Sequence, residues 1–376
     1  MIGQVLGGAA LAIWLGLIGA RGGFWLARER DTRDVPPEPA RWPEVAAVVP
    51  ARDEAAVIAR SIESLLRQDY PGRFRVVLVD DASSDGTAAI ACAVEGGDRL
   101  ELVRARPLGP GWTGKLWGLS QGVAHAGPAP RYLWQTDADI VHAPDTLRSL
   151  VARAEARGLV LVSLMARLRC ESLAERALVP AFVFFFQMLY PFAQVNRPHG
   201  MGAAAGGCML VRREALEAAG GIAAIRGALI DDCALGALLK RQGPIWLGLT
   251  DRSRSIRPYD GFGAVAAMIS RSAYAQLGYS PLALLGTLAG LALVYAVPPA
   301  LALAGHGWAR VAGAAAWTLM GIAFQPMLRF YRRWPLWGLA LPAIAAFYAG
   351  CTLLSAFQHH RGRGGMWKGR AQAAAR

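Results

Sequence analysis

The chain has 376 residues, room for one sizeable domain with extra elements or two modest domains. With 54% hydrophobic and 18% charged residues it is too apolar for a soluble globule, and its five scattered cysteines (Cys92, Cys170, Cys208, Cys233, Cys351) argue against a disulfide framework or a structural zinc site. The net charge of +13 lacks a basic–aromatic recognition motif, and much of it follows apolar runs, as membrane topology and anionic lipid surfaces select; nucleic acid is not the expected partner.

The first element is an apolar stretch from about Val5 to Leu26, broken only by Arg21 and long enough to cross a bilayer at ~20 residues per span. Met1 to Gly8 carries no charge, against the positive start of a cleaved signal peptide, and Arg28, Arg30 and Arg33 follow the span. Residues 1–27 therefore read as an uncleaved anchor with its C-terminal side in the cytosol, and the proline-rich 28–43 as a linker. Glu44–Pro50 and Arg75–Val79 are short apolar runs suited to buried parallel strands, with helical periodicity over Asp53–Gln68 between them. Thr87–Val94 reads as helix, then Leu100–Val103 and Tyr132–Gln135 as strands. This alternation predicts an α/β domain over 44–279 with a doubly wound, mostly parallel sheet that binds ligands beyond its C-terminal strand ends. Ala181–Phe192 (AFVFFFQMLYPF) is aromatic-rich but too short to span; it is either a core helix or a membrane-surface helix lining a lipid entry site. Within 280–357, Pro281–Ala304, about Val311–Leu328 and about Leu336–Phe357 are three apolar stretches of spanning length, the first with a kink expected at Pro298-Pro299. Three spans would put the basic tail, 358–376 with Arg361, Arg363, Lys368, Arg370 and Arg376, on the far side from a cytosolic domain. That conflicts with the positive-inside tendency, unless the first stretch is re-entrant or hairpin-like or the tail is an exception.

Several motifs fall at strand ends. VVPARDE (Val48–Glu54) and VLVDDASSDGT (Val77–Thr87) place carboxylates where backbone amides and a helix N-terminus also point. A carboxylate there can accept from a base edge or a ribose hydroxyl, so Pro50, Arg52, Glu54 and Asp81 are expected on the donor side; Ser83, Ser84 and Asp85 also suit plain turn and cap chemistry. In TDADI, Asp137 and Asp139 can share Mg²⁺ or Mn²⁺ with a diphosphate. In GPGWTGK, Lys115 can reach a phosphate as a point charge, although the P-loop spacing fails at Leu116. In GALIDDCALG, Asp231 and Asp232 open a helical run, favoured there by the dipole or projecting into a cleft as a base. Upstream, Gly206-Gly207-Cys208 forms a close-approach turn expected on the acceptor side. Arg271 can clamp a diphosphate or contact lipid headgroups.

Taken together, PARDE, VDDASSDGT, TDAD and the acidic pair resemble glycosyltransferase family 2, and within it the hopene-associated membrane enzymes found beside bacterial hopanoid genes, from the anchor through MWKGR (Met366–Arg370). The resemblance implies a GT-A fold, Asp81 near the nucleotide base, Asp139 with Asp137 at the metal and diphosphate, and Asp232 as the base that deprotonates the acceptor. It also implies a multi-pass protein of the bacterial inner membrane with a cytosolic catalytic domain. Two departures stand out. The family's Gln-x-x-Arg-Trp element keeps only Arg271, with Met268 and Ser272 at the flanks, which favours single-sugar transfer to a lipid over processive synthesis. Asp231 replaces the usual Glu, a shorter reach.

The implied reaction is an inverting displacement from a nucleotide sugar, a UDP-sugar first, onto an amphiphilic lipid: a hopanoid, a polyprenyl phosphate or a glycerolipid. Nucleotidyl or phosphoryl transfer would use the same strand-end aspartates without needing Asp232 as base. A glycosidase would need paired carboxyl groups and no nucleotide site. An inactive membrane scaffold would have no call for the retained Asp81, Asp137, Asp139 and Asp232.

Overall fold

The computed structural model describes residues 1–371; residues 372–376, with Arg376 of the expected basic tail, lie outside the described residues, as do the side chains of Met366, Trp367 and Arg370. Eight strands form one sheet: β1 (Val45–Ala51), β2 (Phe74–Asp80), β3 (Leu100–Arg104), β4 (Tyr132–Thr136), β5 (Ile140–His142), β6 (Leu161–Arg167), β7 (Cys208–Arg212) and β8 (Ile245–Ser255). The order is β3-β2-β1-β4-β7-β6-β8-β5. The β3-β2-β1-β4 half is parallel, whereas β7 runs against both β4 and β6, and β5 against β8. The sheet is thus a mixed, Rossmann-type sheet of the GT-A kind, less uniformly parallel than the strand–helix alternation alone suggests. Every residue of β1 is buried, because parallel strands are covered on both faces.

The helices are α1 (Ile2–Ala20), α2 (Ile58–Leu66), α3 (Thr87–Cys92), α4 (Gly114–His125), α5 (Thr146–Arg157), α6 (Leu173–Leu189), α7 (Phe192–Val195), α8 (Arg213–Ala218), α9 (Asp231–Lys240), α10 (Phe262–Ala273), α11 (Pro281–Leu291), α12 (Val297–Ala304), α13 (Gly307–Phe330) and α14 (Leu341–His360). The expected helix over Asp53–Gln68 begins only at Ile58, because residues 53–57 are drawn into the loop that binds the turn after β2. The stretch expected as a linker is pinned instead: Leu249 donates to the Glu29 carbonyl (2.8 Å) and Asp31 donates back to Leu249 (3.1 Å).

Among the described residues five helical stretches are long and apolar enough to cross a membrane, by length and composition. One of them, over Leu173–Val195, corrects the expectation that the aromatic run is too short. The helix starts eight residues before Ala181, at a capping box in which Ser172 and Glu175 bond each other's backbone amides, and it runs through Pro180. Its polar first turn hid it: Glu175 is fully buried, accepting from the amides of Glu171, Ser172 and Tyr259 and from Arg169.

The helices from α11 to α13 form an antiparallel hairpin, with Gly313 against the backbone of Pro298 and Ala302. The irregularity expected at Pro298-Pro299 is a π-turn over Ala292–Ala296. Proline has no N–H for the carbonyl four residues back, and the indole of Trp14 in α1 donates to that freed Val294 oxygen at 2.9 Å. The last apolar stretch packs back along the α/β domain. Tyr331, after α13, accepts from the Leu168 amide at 3.3 Å. At the other end of α14, Ser355 accepts from the Tyr274 amide (3.0 Å) and His359 stacks on Tyr279 at 4.3 Å. Contacts with the α/β domain are therefore made both ahead of α14, at Tyr331, and at its C-terminal end. The hairpin-like element is the pair α11–α13, and α14 is the element that returns.

Candidate active site

The loops after β1 and β2 are joined by hydrogen bonds. Asp53 accepts from the Ser84 amide (2.8 Å) and donates its own amide to Ser83 Oγ (3.0 Å); Glu54 N–H reaches Thr87 Oγ1 (2.7 Å) and Ala55 N–H reaches Asp85 (2.9 Å). Asp85 also accepts from the Thr87 amide at 3.0 Å, so it does the turn chemistry its setting allows. Arg52 donates to the Asp81 carbonyl and lies 3.7 Å from its carboxylate. Pro50 is buried in β1 beside Gly118 of α4, so it shapes the pocket wall. Asp81 is buried at the end of β2.

Lys115, in the first turn of α4, joins two motifs far apart in sequence: its Nζ lies 2.8 Å from Asp137 Oδ1 and 3.0 Å from Asp231 Oδ2. Burial works to lower the Lys115 pKa, but Asp137 and Asp231 outweigh it and hold the ammonium charged. Burial raises Asp137, opposed by Lys115 and reinforced by Asp139. Asp231 and Asp232 are the first two residues of α9. Asp232 accepts from the Gly206 amide (2.9 Å) and from the Cys233 amide (2.7 Å). Burial, then the neighbouring Asp231, push its pKa up to about 6, with Lys115 pulling the other way. It is thus ionised at neutral pH yet a stronger base than an ordinary carboxylate. Gly206 leaves room for this approach: a Cβ there would stand 3.3 Å from Lys115 Nζ and 3.4 Å from Asp232 Oδ2, so a larger residue would crowd the lysine head. Gly207 gives its carbonyl to Thr136 Oγ1 (2.8 Å), locking β4 beside the same turn.

Cys208, expected on the acceptor side, is elsewhere. Side chains alternate across a strand, and this one turns into the apolar core, where Trp134 Nε1 donates to its sulfur at 3.3 Å. Arg271 sits exposed in the last turn of α10, within electrostatic reach of Tyr259, and joins no ion pair among the described residues.

Sequence reasoning missed Arg257, in the loop after β8. Its Nη2 lies 2.6 and 2.7 Å from the two oxygens of Glu54, and its Nε donates to Asp139 Oδ2 at 3.0 Å, which also accepts from Ser255. The two carboxylates raise its pKa against the effect of burial. The segment before it, Thr250–Ser255, is polar throughout and carries no apolar alternation, so the strand that places Arg257 gives little signal in the sequence. Lys368 is a correction: assigned to the lipid-facing charge of the tail, it donates to the Asp53 carbonyl (2.7 Å) and lies 3.0 Å from Glu54. Also missed was Tyr190, just past α6, which accepts from Gln276 Nε2 (2.8 Å) and contacts the Cys233 thiol next to the base.

Among the described residues no three of His, Cys, Asp and Glu converge on one point. Asp137 and Asp139 each give one oxygen to a cation of the protein and have no hydrogen bond on the other. Two such oxygens suit a hard divalent cation that draws its remaining ligands from substrate phosphates and water.

Residues 46–220 match the family described as Glycosyl transferase family 2. The succinoglycan biosynthesis protein ExoO of Rhizobium meliloti (strain 1021) is 36% identical over 157 residues, 39% of this chain. The match spans 42% of ExoO's own length. Among solved structures, the glycosyltransferase domain and its helices resemble the mannosyltransferase PcManGT from Pyrobaculum calidifontis, in complex with GDP-Man and Mn²⁺. That likeness has a TM-score of 0.57 at 22% identity, covering 94% of this chain and 99% of the other, and it shows a shared fold.

Proposed function

We propose that this protein transfers one sugar from a nucleotide-sugar donor to the hydroxyl of an amphiphilic acceptor at a membrane surface, with inversion. The observation that carries the reading is the meeting of Asp137, Lys115, Asp231 and Asp232 beside the Gly206 amide, inside a glycosyltransferase family 2 domain. Asp81 and Arg52 stand at the nucleoside end, Lys115 and Arg257 at the diphosphate end. Asp137 and Asp139 would hold Mg²⁺ or Mn²⁺, which when bound offsets charge on the departing diphosphate. Lys115, already fixed by two carboxylates, needs no reorganisation to serve the same charge. Asp232 takes the acceptor proton as the acceptor oxygen attacks the anomeric carbon from the face opposite the leaving group. Its two backbone donors fix the carboxylate's orientation for that transfer.

An amphiphilic acceptor is favoured because Tyr190 and Gln276, at the base's edge, belong to the junction of α6 with the apolar helices. On this reading α1 and the α11–α13 hairpin cross the membrane, α6 and α14 lie along its surface, and the catalytic domain and tail share the cytosolic side. A hopanoid, which the family resemblance implies, is the first acceptor to try; UDP-sugars are the first donors and GDP-mannose the next. The test uses the purified chain in lipid vesicles with Mg²⁺ or Mn²⁺, scored by nucleoside diphosphate release against Asp232→Asn. Release that needs acceptor lipid and vanishes in the variant supports the reading. No donor consumed or bound, with native lipid extract supplied, overturns it.

A further inference from the structure

Away from the active site, a cavity of about 530 Å³ lies between the pinned segment 28–34, α5 and β8, lined by Arg28, Glu29, Arg30, Arg33, Asp34, Arg153 and Trp246. Four of those side chains are arginines, and none of the four joins an ion pair among the described residues. The site is built around Arg153, which is 2% exposed. Its guanidinium lies 4.2 Å from the Trp246 ring, and Nη2 donates to the carbonyls of Asp31 (3.1 Å), Arg33 (3.1 Å) and Asp34 (3.4 Å). Its Nε and Nη1 have no hydrogen-bond partner among the described residues. Arg153 thereby holds the turn that carries Arg33 to the same cavity.

Four arginines outnumber the two carboxylates of the lining, Glu29 and Asp34, and placing like charges together with too few opposite ones costs free energy. Burial and the nearby Arg33 both disfavour the charge on Arg30, with Asp251 only partly opposing them, and an anion in the cavity would add the missing opposite charge. The position suggests the anion's source. Arg30 lies 5.1 Å from the ring of Phe330, the last residue of α13, and Phe24 in the same segment packs on Phe184 of α6 and is buried. The cavity therefore opens beside the ends of the apolar helices, at the level where headgroups lie if those helices span a membrane.

We propose that this cavity is a phosphate-binding site that takes the headgroup of an anionic phospholipid from the leaflet facing the catalytic domain. Its lipid source rests on the membrane reading above; the phosphate chemistry does not. The cavity is of the size that holds a headgroup-sized ligand, within the usual ~300–1,000 Å³ of small-molecule sites. Arginine forks, unlike lysine ammoniums, match phosphate oxygens in pairs.

The test is native mass spectrometry of the full chain released from detergent, with phosphatidylglycerol, phosphatidylcholine or inorganic phosphate added. The variant is Arg28→Gln/Arg33→Gln, both exposed and both far from the catalytic groups. The expected result is one saturable phosphatidylglycerol per chain, weakened roughly ten- to thirtyfold in the double variant at about fivefold per arginine. If millimolar inorganic phosphate displaces the lipid, and the variant also loses phosphate, the phosphate site stands and its source is soluble. Equal retention of phosphatidylcholine, or phosphatidylglycerol retention unchanged in the variant, overturns the proposal. Sugar transfer is not measured, so this result is independent of the transferase reading.

Discussion

The two aspartates of Asp137-Ala138-Asp139 are neighbours in sequence but belong to different halves of the site. Asp137 faces Lys115 and, through it, the acidic pair of α9. Asp139 faces Arg257, Ser255 and, through Arg257, Glu54 and Lys368. The first half gathers Lys115, Asp231 and Asp232 beside the Gly206 amide, where the proposed reaction puts its base and leaving group. The second ties the far strand and the C-terminal tail to the donor loop. The contrast teaches that two carboxylates of one short motif, both proposed as metal ligands, can be anchored by different parts of the fold.

The largest effect is expected on the first half. Asp232→Asn should lower kcat by roughly 10²–10⁴-fold with donor binding kept. Because the raised pKa of about 6 belongs to the active, ionised base, kcat/KM should fall as pH drops through that value, and the variant should lose this limb. A rate limb unchanged in Asp232→Asn would remove Asp232 as the base. Lys115→Met comes next, at roughly a hundredfold in turnover, since it deletes a fixed charge at the leaving group. Steady-state kinetics with saturating donor checks this.

Arg257→Lys sharpens the contrast from the other side. It keeps a charge but loses the fork that spans Asp139 and Glu54, so donor KM should rise about tenfold with little change in kcat. If kcat fell as far as in Lys115→Met, the two halves would be equivalent and the contrast would collapse. The smallest effect is expected for Lys368→Ala, whose partners are one carbonyl and one already paired carboxylate. A rise of about fivefold or less in donor KM, with kcat unchanged, fits a partly exposed ion pair of up to ~1 kcal/mol.

These halves also differ in how legible they are. Asp81, Asp137 and Asp139 can be found in the sequence because a short apolar run ending in acids marks a buried strand and its mouth. Asp231 and Asp232 can be found because acids open an apolar helical run. Arg257 follows a strand whose first half is uniformly buried and whose second half alternates, so no single period marks it. Cys208 shows the limit of reading a turn without its register: Gly206 and Gly207 border the base, whereas the next residue begins a strand and faces the other way.

By itself the sequence determined the parallel half of the sheet, the apolar helices, and which carboxylates stand at the strand ends and at the start of α9. Each of these rests on local periodicity or on residues adjacent in the chain. Only the tertiary structure decided that Lys115 bridges two motifs, that Arg257 and Lys368 close the donor side, and that α14 returns to the domain that α13 reached. The Lys115–Asp231, Asp139–Arg257 and Glu54–Lys368 contacts join residues more than a hundred positions apart. Their partners are chosen by how the sheet and helices pack, a property that no local window of the chain contains.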